Sequence, residues 1–150
     1  MERVKNKVAI VTGGAVGIGR SGCILLAREG AKVAVTDLNQ PEGEKVAELI
    51  RKSGGTADFW HMNTADEKEV VTVFKKISDK FGRIDVLVNN AGILGTNKPT
   101  DEVTEAEWDK VYDTNVKDVF FCTKHVIPYM RKAGGGSIIN LSSIYGLVGA

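Results

Sequence analysis

Three glycines lie where a predicted strand runs directly into a predicted helix. The strand covers residues 7–12, the helix covers 17–29, and the glycines are Gly13, Gly17 and Gly19. The first can make a tight turn, the second lets the backbone approach a ligand, and the third allows close packing of helix and strand. The free N–H groups and partial positive charge of the helix start favour an anion such as a pyrophosphate. An ordinary strand–helix turn needs only one or two glycines, so the pattern predicts a dinucleotide site.

Asp37 extends this prediction and distinguishes between cofactors. It ends the predicted strand 32–37, about 20 residues beyond the glycine loop, where a carboxylate accepts hydrogen bonds from an adenosine ribose. A 2′-phosphate would lie near this like charge, and one such pair at ~4 Å costs roughly 4 kcal/mol at an effective dielectric constant of ~20. Ala15, Val16 and Leu38 offer no cation to offset that cost. The sequence therefore predicts NAD rather than NADP, the alternative being that Asp37 is an ordinary turn acid.

A pair of serines, Ser142 and Ser143, stands at the end of the last predicted strand. Either hydroxyl could act as the nucleophile of a hydrolase if the rest of such a site were present. A serine hydrolase would need the pattern G-x-S-x-G and a base, and neither is present here. The pair is therefore not interpreted as a hydrolase site.

Short β-branched segments alternate with longer amphipathic segments along the whole chain. Nearly all-apolar strands that alternate with helices indicate a parallel sheet covered on both faces. Right-handed crossovers then give a doubly wound, Rossmann-like α/β fold. The predicted strands are 7–12, 32–37, 56–62, 84–90 and 137–142.

Capping residues mark where several of the predicted helices begin. Pro41 suits the first turn of the second helix. Residues 64–67, Thr-Ala-Asp-Glu, have a capping-box pattern that predicts the start of the third helix. A second capping box at 104–107 opens the longest helical region, 104–131, with an interruption near Asp113. In the later part of this region, one broad apolar face is formed by Val116, Val119, Phe120, Ile127 and Met130.

Composition excludes several classes of partner. The chain has 150 residues, 43% of them hydrophobic, and a formal net charge of +1, which fits one globular domain with a real core. Its Lys and Arg residues are scattered, whereas nucleic-acid binding needs a basic stripe. Apolar runs such as 86–88 are far too short to cross a bilayer, and the N-terminal segment lacks the apolar core of a signal peptide. We expect a cytoplasmic protein without membrane or nucleic-acid partners.

The cysteines and histidines give no sign of a metal or a disulfide. Cys23 and Cys122 are distant from one another and embedded in helix-like segments, which indicates reduced, buried thiols. His61 and His125 have no companions at ligand spacing, so no metal site is predicted.

Four separated motifs extend across essentially the whole chain. They are Thr12-Gly13-x-x-x-Gly17-Ile18-Gly19, Asn89-Asn90-Ala91-Gly92, Asn115, and Ile-Asn-Leu-Ser-Ser at 139–143. Three residues separate the first two motif glycines, a spacing that differs from the usual Rossmann loop. Together the four motifs resemble those of the short-chain dehydrogenase/reductase family.

The resemblance implies roles for individual residues. Asn89, Ala91 and Gly92 are expected beside the adenosine half of the cofactor, where they also steady the sheet. Asn115 is expected to hold a water through its backbone at a helix irregularity, and Ser143 to bind the reacting substrate oxygen. The residues assigned to cofactor binding are Thr12, Gly13, Gly17, Ile18, Gly19, Asp37, Leu38, Asn63, Thr64, Asn89, Ala91 and Gly92.

Two positions depart from the family pattern. Asn63 stands where the family often has an acid that contacts the adenine amino group, and its amide oxygen can still accept a hydrogen bond. Tyr145 is bulky where small residues are frequent. The family's acid/base tyrosine belongs to a Tyr-x-x-x-Lys pair whose lysine lowers the phenol pKa, but one turn beyond Tyr145 the chain has Gly149. We therefore expect Tyr145 to line or pack a pocket.

The resemblance also predicts that the domain, residues 1–150, is incomplete at its C-terminal end. The Tyr-x-x-x-Lys pair is expected roughly a dozen residues beyond the serine, followed by further strands and helices. The last strand, 137–142, would otherwise form an uncovered sheet edge. Residues 1–150 alone are accordingly expected to lack turnover.

These observations predict an NAD(H)-dependent oxidoreductase that interconverts a secondary alcohol and a ketone by hydride transfer. Cyclic alcohols, steroids, sugars and 3-oxoacyl compounds are the candidate substrates, and the family implies a homo-oligomer, a dimer or a tetramer. One alternative is a non-catalytic NAD-binding sensor or scaffold with the same fold, which would lack the Tyr-x-x-x-Lys pair. A second, an extended-family epimerase or reductase acting on nucleoside-diphosphate sugars, normally has a glycine spacing shorter by one residue.

Overall fold

A computed structural model describes residues 2–146 and 148 as one parallel sheet with helices on both faces. The five strands have the order β3-β2-β1-β4-β5. This order and the parallel pairing confirm the predicted doubly wound α/β fold. The strands are β1 (Val8–Thr12), β2 (Lys32–Asp37), β3 (Thr56–His61), β4 (Val86–Asn89) and β5 (Ser137–Asn140).

The helices alternate with these strands. A π-helical turn, Asp113–Lys117, joins the fourth helix to the fifth, and it confirms the predicted interruption of the long helical region. The helices are α1 (Gly17–Arg28), α2 (Gln40–Lys52), α3 (Glu67–Phe81), α4 (Glu105–Tyr112) and α5 (Asp118–Lys132).

The central strand separates two apolar cores. Val11 on β1 pairs with Val35 on β2 and Val88 on β4, and all five residues of β1 are buried. One core includes Ile10 together with residues of α3 and α5, and the other includes Val11 together with residues of α1 and α2. Because strand side chains alternate between faces, consecutive residues of β1 serve opposite cores.

One of the two predicted capping boxes is wrong. Thr64 does not cap α3; the helix begins after Asp66, whose carboxylate accepts the N–H groups of Lys68 and Glu69. The Glu67 side chain accepts hydrogen bonds from α5 instead of from the helix start. The prediction failed because Asp66 is itself a strong N-cap residue and lies two residues closer to the apolar stripe of α3.

The second capping box is confirmed at the start of α4. The Thr104 hydroxyl accepts the N–H of Glu107 at 3.3 Å, and the Glu107 carboxylate accepts the N–H of Thr104 at 2.9 Å. Hydrogen bonds from Lys98 and Thr104 lower the pKa of Glu107 to about 2. The carboxylate therefore stays charged at the positive end of the helix, where it stabilises the start of α4.

The predicted apolar face, Val116 to Met130, only partly coincides with the buried face of α5. The buried residues of α5 are Asp118, Cys122, Val126 and Met130, which follow one another at four-residue spacing. Val116 and Phe120 are instead exposed. The prediction considered apolar residues only, so the buried charged residue that begins this stripe was overlooked.

Both cysteine thiols are buried and free, as predicted. Burial raises the pKa of the Cys23 thiol to about 12, so this group stays protonated at neutral pH. Within residues 2–146 and 148, no helix combines the length and apolar character needed to cross a membrane.

Candidate functional site

The glycine loop leaves the start of α1 open to a ligand. Gly13 and Gly17 have φ values of +61° and +55°, a backbone region that favours glycine. Val16 precedes the helix in an extended conformation, no side chain caps it, and the first turn contains no acid. The first N–H groups of α1 therefore remain available to an anion.

Close packing explains two of the three motif glycines. A Cβ atom on Gly13 would lie 2.9 Å from the Ala91 Cα, and one on Gly19 would collide with the Gly13 carbonyl oxygen. Gly19 thus packs against the loop itself rather than against a strand. No atom lies within 4 Å of a Cβ placed on Gly17, so that side of the loop is open.

Thr12 and Asn90 join the ends of β1 and β4 behind the loop. The Thr12 hydroxyl oxygen accepts the backbone N–H groups of Asn90 and Ala91, each at 3.0 Å. The Asn90 amide donates to the carbonyl oxygens of Thr12 at 2.8 Å and Gly13 at 3.0 Å. Thr12 is fully buried, so it shapes the site from behind and does not line it. Asn90 was missed from the sequence, although the second asparagine of the Asn-Asn-Ala-Gly motif marked it.

Asp37 connects the end of β2 to the glycine loop. One carboxylate oxygen accepts the N–H of Ala15 at 3.0 Å, and the other accepts the N–H of Asn39 at 2.9 Å. Each oxygen can accept a second hydrogen bond, and Asp37 lines the cleft beside the exposed side chain of Leu38. The carboxylate can therefore hold the loop and bind a hydroxyl of a ligand at the same time.

Asn63 and Thr64 form the part of the cleft that follows β3. The amide oxygen of Asn63 already accepts the N–H of Ala65 at 3.1 Å, which leaves it one further acceptor position. Thr64 lines the cleft and lies against Asp118, which is fully buried. Burial raises the pKa of Asp118 to about 6, with the Val119 N–H and the Thr64 hydroxyl acting in the opposite direction.

Asn89 lies behind the cleft, between two strands and a helix. Its side-chain amide donates to the Asn140 side chain at 2.8 Å and to the Thr123 hydroxyl at 3.4 Å. Because Asn89 is buried, it steadies the junction of β4, β5 and α5 and does not line the cleft. Among the residues predicted for the cofactor, Thr12, Gly19 and Asn89 therefore act on the shape of the cleft.

The remaining predicted cofactor residues surround one open cleft of about 500 Å³, a size typical of small-molecule sites. Lys110 and Thr114, from α4 and the π-helical turn, were missed by the sequence analysis because no motif contains them. The predicted residues in the lining are Gly13, Gly17, Ile18, Asp37, Leu38, Asn63, Thr64, Ala91 and Gly92, and the others are Val16, Met62, Asn90, Ile93, Lys110 and Thr114.

Asn115 binds the loop after β4 through its side chain. Its amide oxygen accepts the N–H of Ile93 and its amide nitrogen donates to the Ile93 carbonyl, both at 2.8 Å. The residue lies in the π-helical turn, so the irregularity predicted at this position is present. Such turns disturb the regular backbone hydrogen bonds, which is compatible with a backbone carbonyl that binds water.

Ser143 lies at the same edge of the sheet as the cleft, because it follows the carboxyl end of the parallel strand β5. It is exposed, and its carbonyl oxygen accepts the N–H of Gly146 at 2.9 Å. The side chain of Tyr145, predicted to line or pack a pocket, and Gly149 lie outside the described part of the structure. In the described residues, no three His, Cys, Asp or Glu side chains form a group that could hold a metal ion.

The sequence matches known proteins along its whole length. A cyclopentanol dehydrogenase of Comamonas sp. (strain NCIMB 9872) is 48% identical over 150 residues, covering 100% of this chain and 60% of that protein. A 3-oxoacyl-[acyl-carrier-protein] reductase FabG of Staphylococcus aureus (strain Mu50 / ATCC 700699) is 45% identical over 144 residues, 95% of this chain and 58% of that protein. A cyclohexanol dehydrogenase of Acinetobacter sp. (strain SE19) is 38% identical over 147 residues, 98% of this chain and 59% of that protein.

The chain thus spans about 60% of the length of the curated relatives it matches. The family profile described as short chain dehydrogenase matches residues 7–150, a range that includes the glycine loop, Asp37, Asn115 and Ser143. The chain belongs to the short-chain dehydrogenase family.

Proposed function

We propose that the protein is an NAD(H)-dependent oxidoreductase that interconverts a secondary alcohol and a ketone. The observation that carries this proposal is the cleft in which the uncapped start of α1 and the Asp37 carboxylate lie together. The first suits a pyrophosphate and the second suits a ribose hydroxyl. Relatives named as cyclopentanol and cyclohexanol dehydrogenases support the alcohol chemistry.

The residues of the cleft fit a nicotinamide dinucleotide. Gly17 and Ile18 would receive the phosphates at the helix start, while Asp37 would accept hydrogen bonds from the adenosine ribose. Asn63 and Leu38 would contact the adenine. When bound, the nicotinamide accepts or gives the hydride. The negative charge of Asp37 supports NAD as the preferred form, because a 2′-phosphate would be repelled there.

The chain's own residues would orient the substrate oxygen. The Ser143 hydroxyl would donate a hydrogen bond to that oxygen and stabilise the charge that develops on it. Asn115 would hold the loop at Ile93 by its side chain and bind a water through its backbone carbonyl. The family resemblance assigns the exchange of the hydroxyl proton to a Tyr-x-x-x-Lys pair, a pattern that residues 1–150 do not contain.

A small cyclic secondary alcohol is the substrate class we favour. The cyclopentanol dehydrogenase is 48% identical and the cyclohexanol dehydrogenase 38% identical, and both names specify a ring alcohol. The 3-oxoacyl reductase is 45% identical, so an acyl thioester is the competing class. The test is a panel of cyclopentanol, cyclohexanol and a 3-hydroxyacyl thioester, with the absorbance of the reduced nicotinamide as the readout. Cofactor binding without turnover on any alcohol or ketone would favour the sensor or scaffold instead.

An exposed apolar stripe supports a homo-oligomer, a dimer or a homotetramer. Trp108, Tyr112, Val116 and Phe120 follow one another at four-residue spacing along α4, the π-helical turn and α5, and all four are exposed. Such a row of large apolar side chains is typical of a surface that another chain covers.

The two reduced cysteines are compatible with a cytoplasmic location.

A further inference from the structure

Lys110 brings a positive charge into the lining of the cleft. It belongs to α4, whereas the glycine loop and Asp37 belong to the ends of β1 and β2. Among the described residues that line the cleft, Asp37 carries the negative charge and Lys110 the positive one. Lys110 is distant in the sequence from the glycine loop and from Asp37, so the pattern around those two motifs does not reveal this cation.

Two lysines that lie close to Lys110 in the sequence, Lys98 and Lys117, are paired with acids, whereas Lys110 is not. Lys98 binds Glu107 at 2.6 Å, and Lys117 binds Asp113 at 2.8 Å. Within the part of the chain that the structure describes, the Lys110 ammonium has neither an ion pair nor a side-chain hydrogen bond. Because Asp113, one turn further along, is already bound by Lys117, Lys110 is available to a ligand.

A dinucleotide carries more negative charge than the helix start can balance. The start of α1 supplies only partial positive charge, and the first turn of that helix contains no lysine or arginine side chain except Arg20, which does not line the cleft. A lysine ammonium is a compact point charge on a flexible stem, and lysine commonly binds phosphate in this way. Lys110 has the charge for this task, and it lines the same cleft as the start of α1.

We propose that Lys110 binds a phosphate group of the adenine dinucleotide and thereby sets part of the affinity of the cleft. This inference rests on the proposed function, because it requires the cleft to take a dinucleotide. Two phosphate sources share the chemistry: the pyrophosphate, common to NAD and NADP, and the 2′-phosphate of NADP. Binding of the second would partly offset its repulsion by Asp37.

The test is calorimetric titration of the full-length protein and its Lys110→Gln, Lys110→Arg and Lys76→Gln variants. The ligands are adenosine, ADP-ribose and 2′-phospho-ADP-ribose, each at low and at high salt. Lys76 is an exposed lysine of α3 outside the cleft and serves as the matched control.

Lys110→Gln should weaken ADP-ribose binding about 3- to 10-fold at low salt, less at high salt, and leave adenosine binding unchanged. Lys110→Arg should retain most of the affinity, and Lys76→Gln all of it. A loss confined to 2′-phospho-ADP-ribose would also support the inference and would place the contact at the 2′-phosphate.

Equal affinity of Lys110→Gln and the unsubstituted protein for both phosphate ligands would overturn the proposed role of Lys110 and leave the cofactor proposal intact. An equal loss for adenosine would overturn it too, because the residue would then shape the cleft rather than bind phosphate. Failure of the unsubstituted protein to bind ADP-ribose would overturn the cofactor proposal together with the inference.

Discussion

The carboxylate of Asp37 accepts the backbone N–H of Ala15 at 3.0 Å, so the acid that ends β2 also holds the glycine loop after β1. The position of Asp37 in the sequence predicts a role toward the ribose only. The hydrogen bond adds a second role, because loss of the side chain would release the loop as well as the ligand. Substitutions at Asp37 must therefore separate the effect of its negative charge on the ligand from the effect of its hydrogen bond to the glycine loop.

Asp37→Ala in the full-length protein should shift the cofactor preference from NAD toward NADP. The substitution removes the negative charge that repels a 2′-phosphate, and it also removes the acceptor for Ala15, at a cost of about 1–3 kcal/mol in stability. Asp37→Asn keeps one acceptor without the charge, so it should show the shift with a smaller loss of stability. Steady-state kinetics with both cofactors provide the measurement. An unchanged preference in both variants would contradict the account of cofactor choice.

Ser143→Ala should lower kcat by about 10²–10³, as removal of one hydrogen-bond donor to a developing oxyanion does in other enzymes. The neighbouring Ser142→Ala is the matched control, and it should keep most of the activity. The rates are to be compared at saturating NAD and alcohol, with the melting temperatures of both variants. Equal losses in the two variants would remove Ser143 from its proposed role.

Asp118 should make the stability of the protein depend on pH. Burial raises its pKa in the folded protein from 3.8 to about 6, so between these values the folded state binds a proton that the unfolded state has released. The free energy of unfolding should therefore fall as pH rises through this window, by about 3 kcal/mol in total, and remain reduced above it. This is the opposite of the effect of a carboxylate whose pKa is lowered by an ion pair.

Asp118→Asn should abolish that contribution, since asparagine does not titrate. Denaturation at a series of pH values between about 4 and 8 gives the comparison, and the difference between the two proteins isolates Asp118 from all other acids. The variant should gain stability relative to the unsubstituted protein as pH rises. A constant difference over the whole range would show that Asp118 titrates normally.

Phe120→Glu should reduce the molar mass in solution to that of a single protomer. Phe120 is exposed at the end of the apolar stripe with Trp108, Tyr112 and Val116, and a carboxylate there would be desolvated in an interface. Leu49→Glu, at an exposed apolar position on α2, is the control and should leave the mass unchanged. Light scattering after size exclusion measures both. A single-protomer mass for the unsubstituted protein would refute the proposed oligomer.

The sequence predicted the strands and the parallel sheet well, because nearly all-apolar segments such as β1 have few alternatives to a buried strand. The first residues of the helices were harder to predict from the sequence. At α3 two competing caps, Thr64 and Asp66, lay within one turn, and the pattern alone did not rank them. At α5 the buried stripe begins with the charged Asp118, which an apolar pattern cannot include.

The sequence predicted the cleft residues that belong to a motif, and it did not predict those that reach the cleft only through tertiary contacts. Gly13, Gly17 and Asp37 were found because each motif position has a local chemical reason. Lys110 reaches the cleft only because α4 packs beside it, and no spacing in the sequence indicates that proximity. The contact of Asn115 with Ile93 likewise joins residues that are far apart in the chain.

Calorimetric titration of the full-length protein with NADH tests the central claim most directly, because the cleft and every proposed role depend on cofactor binding. The account predicts saturable binding of one NADH per chain, with weaker binding of NADPH. Absence of detectable heat with NAD and NADH at several temperatures, from a protein that unfolds cooperatively, would contradict the account.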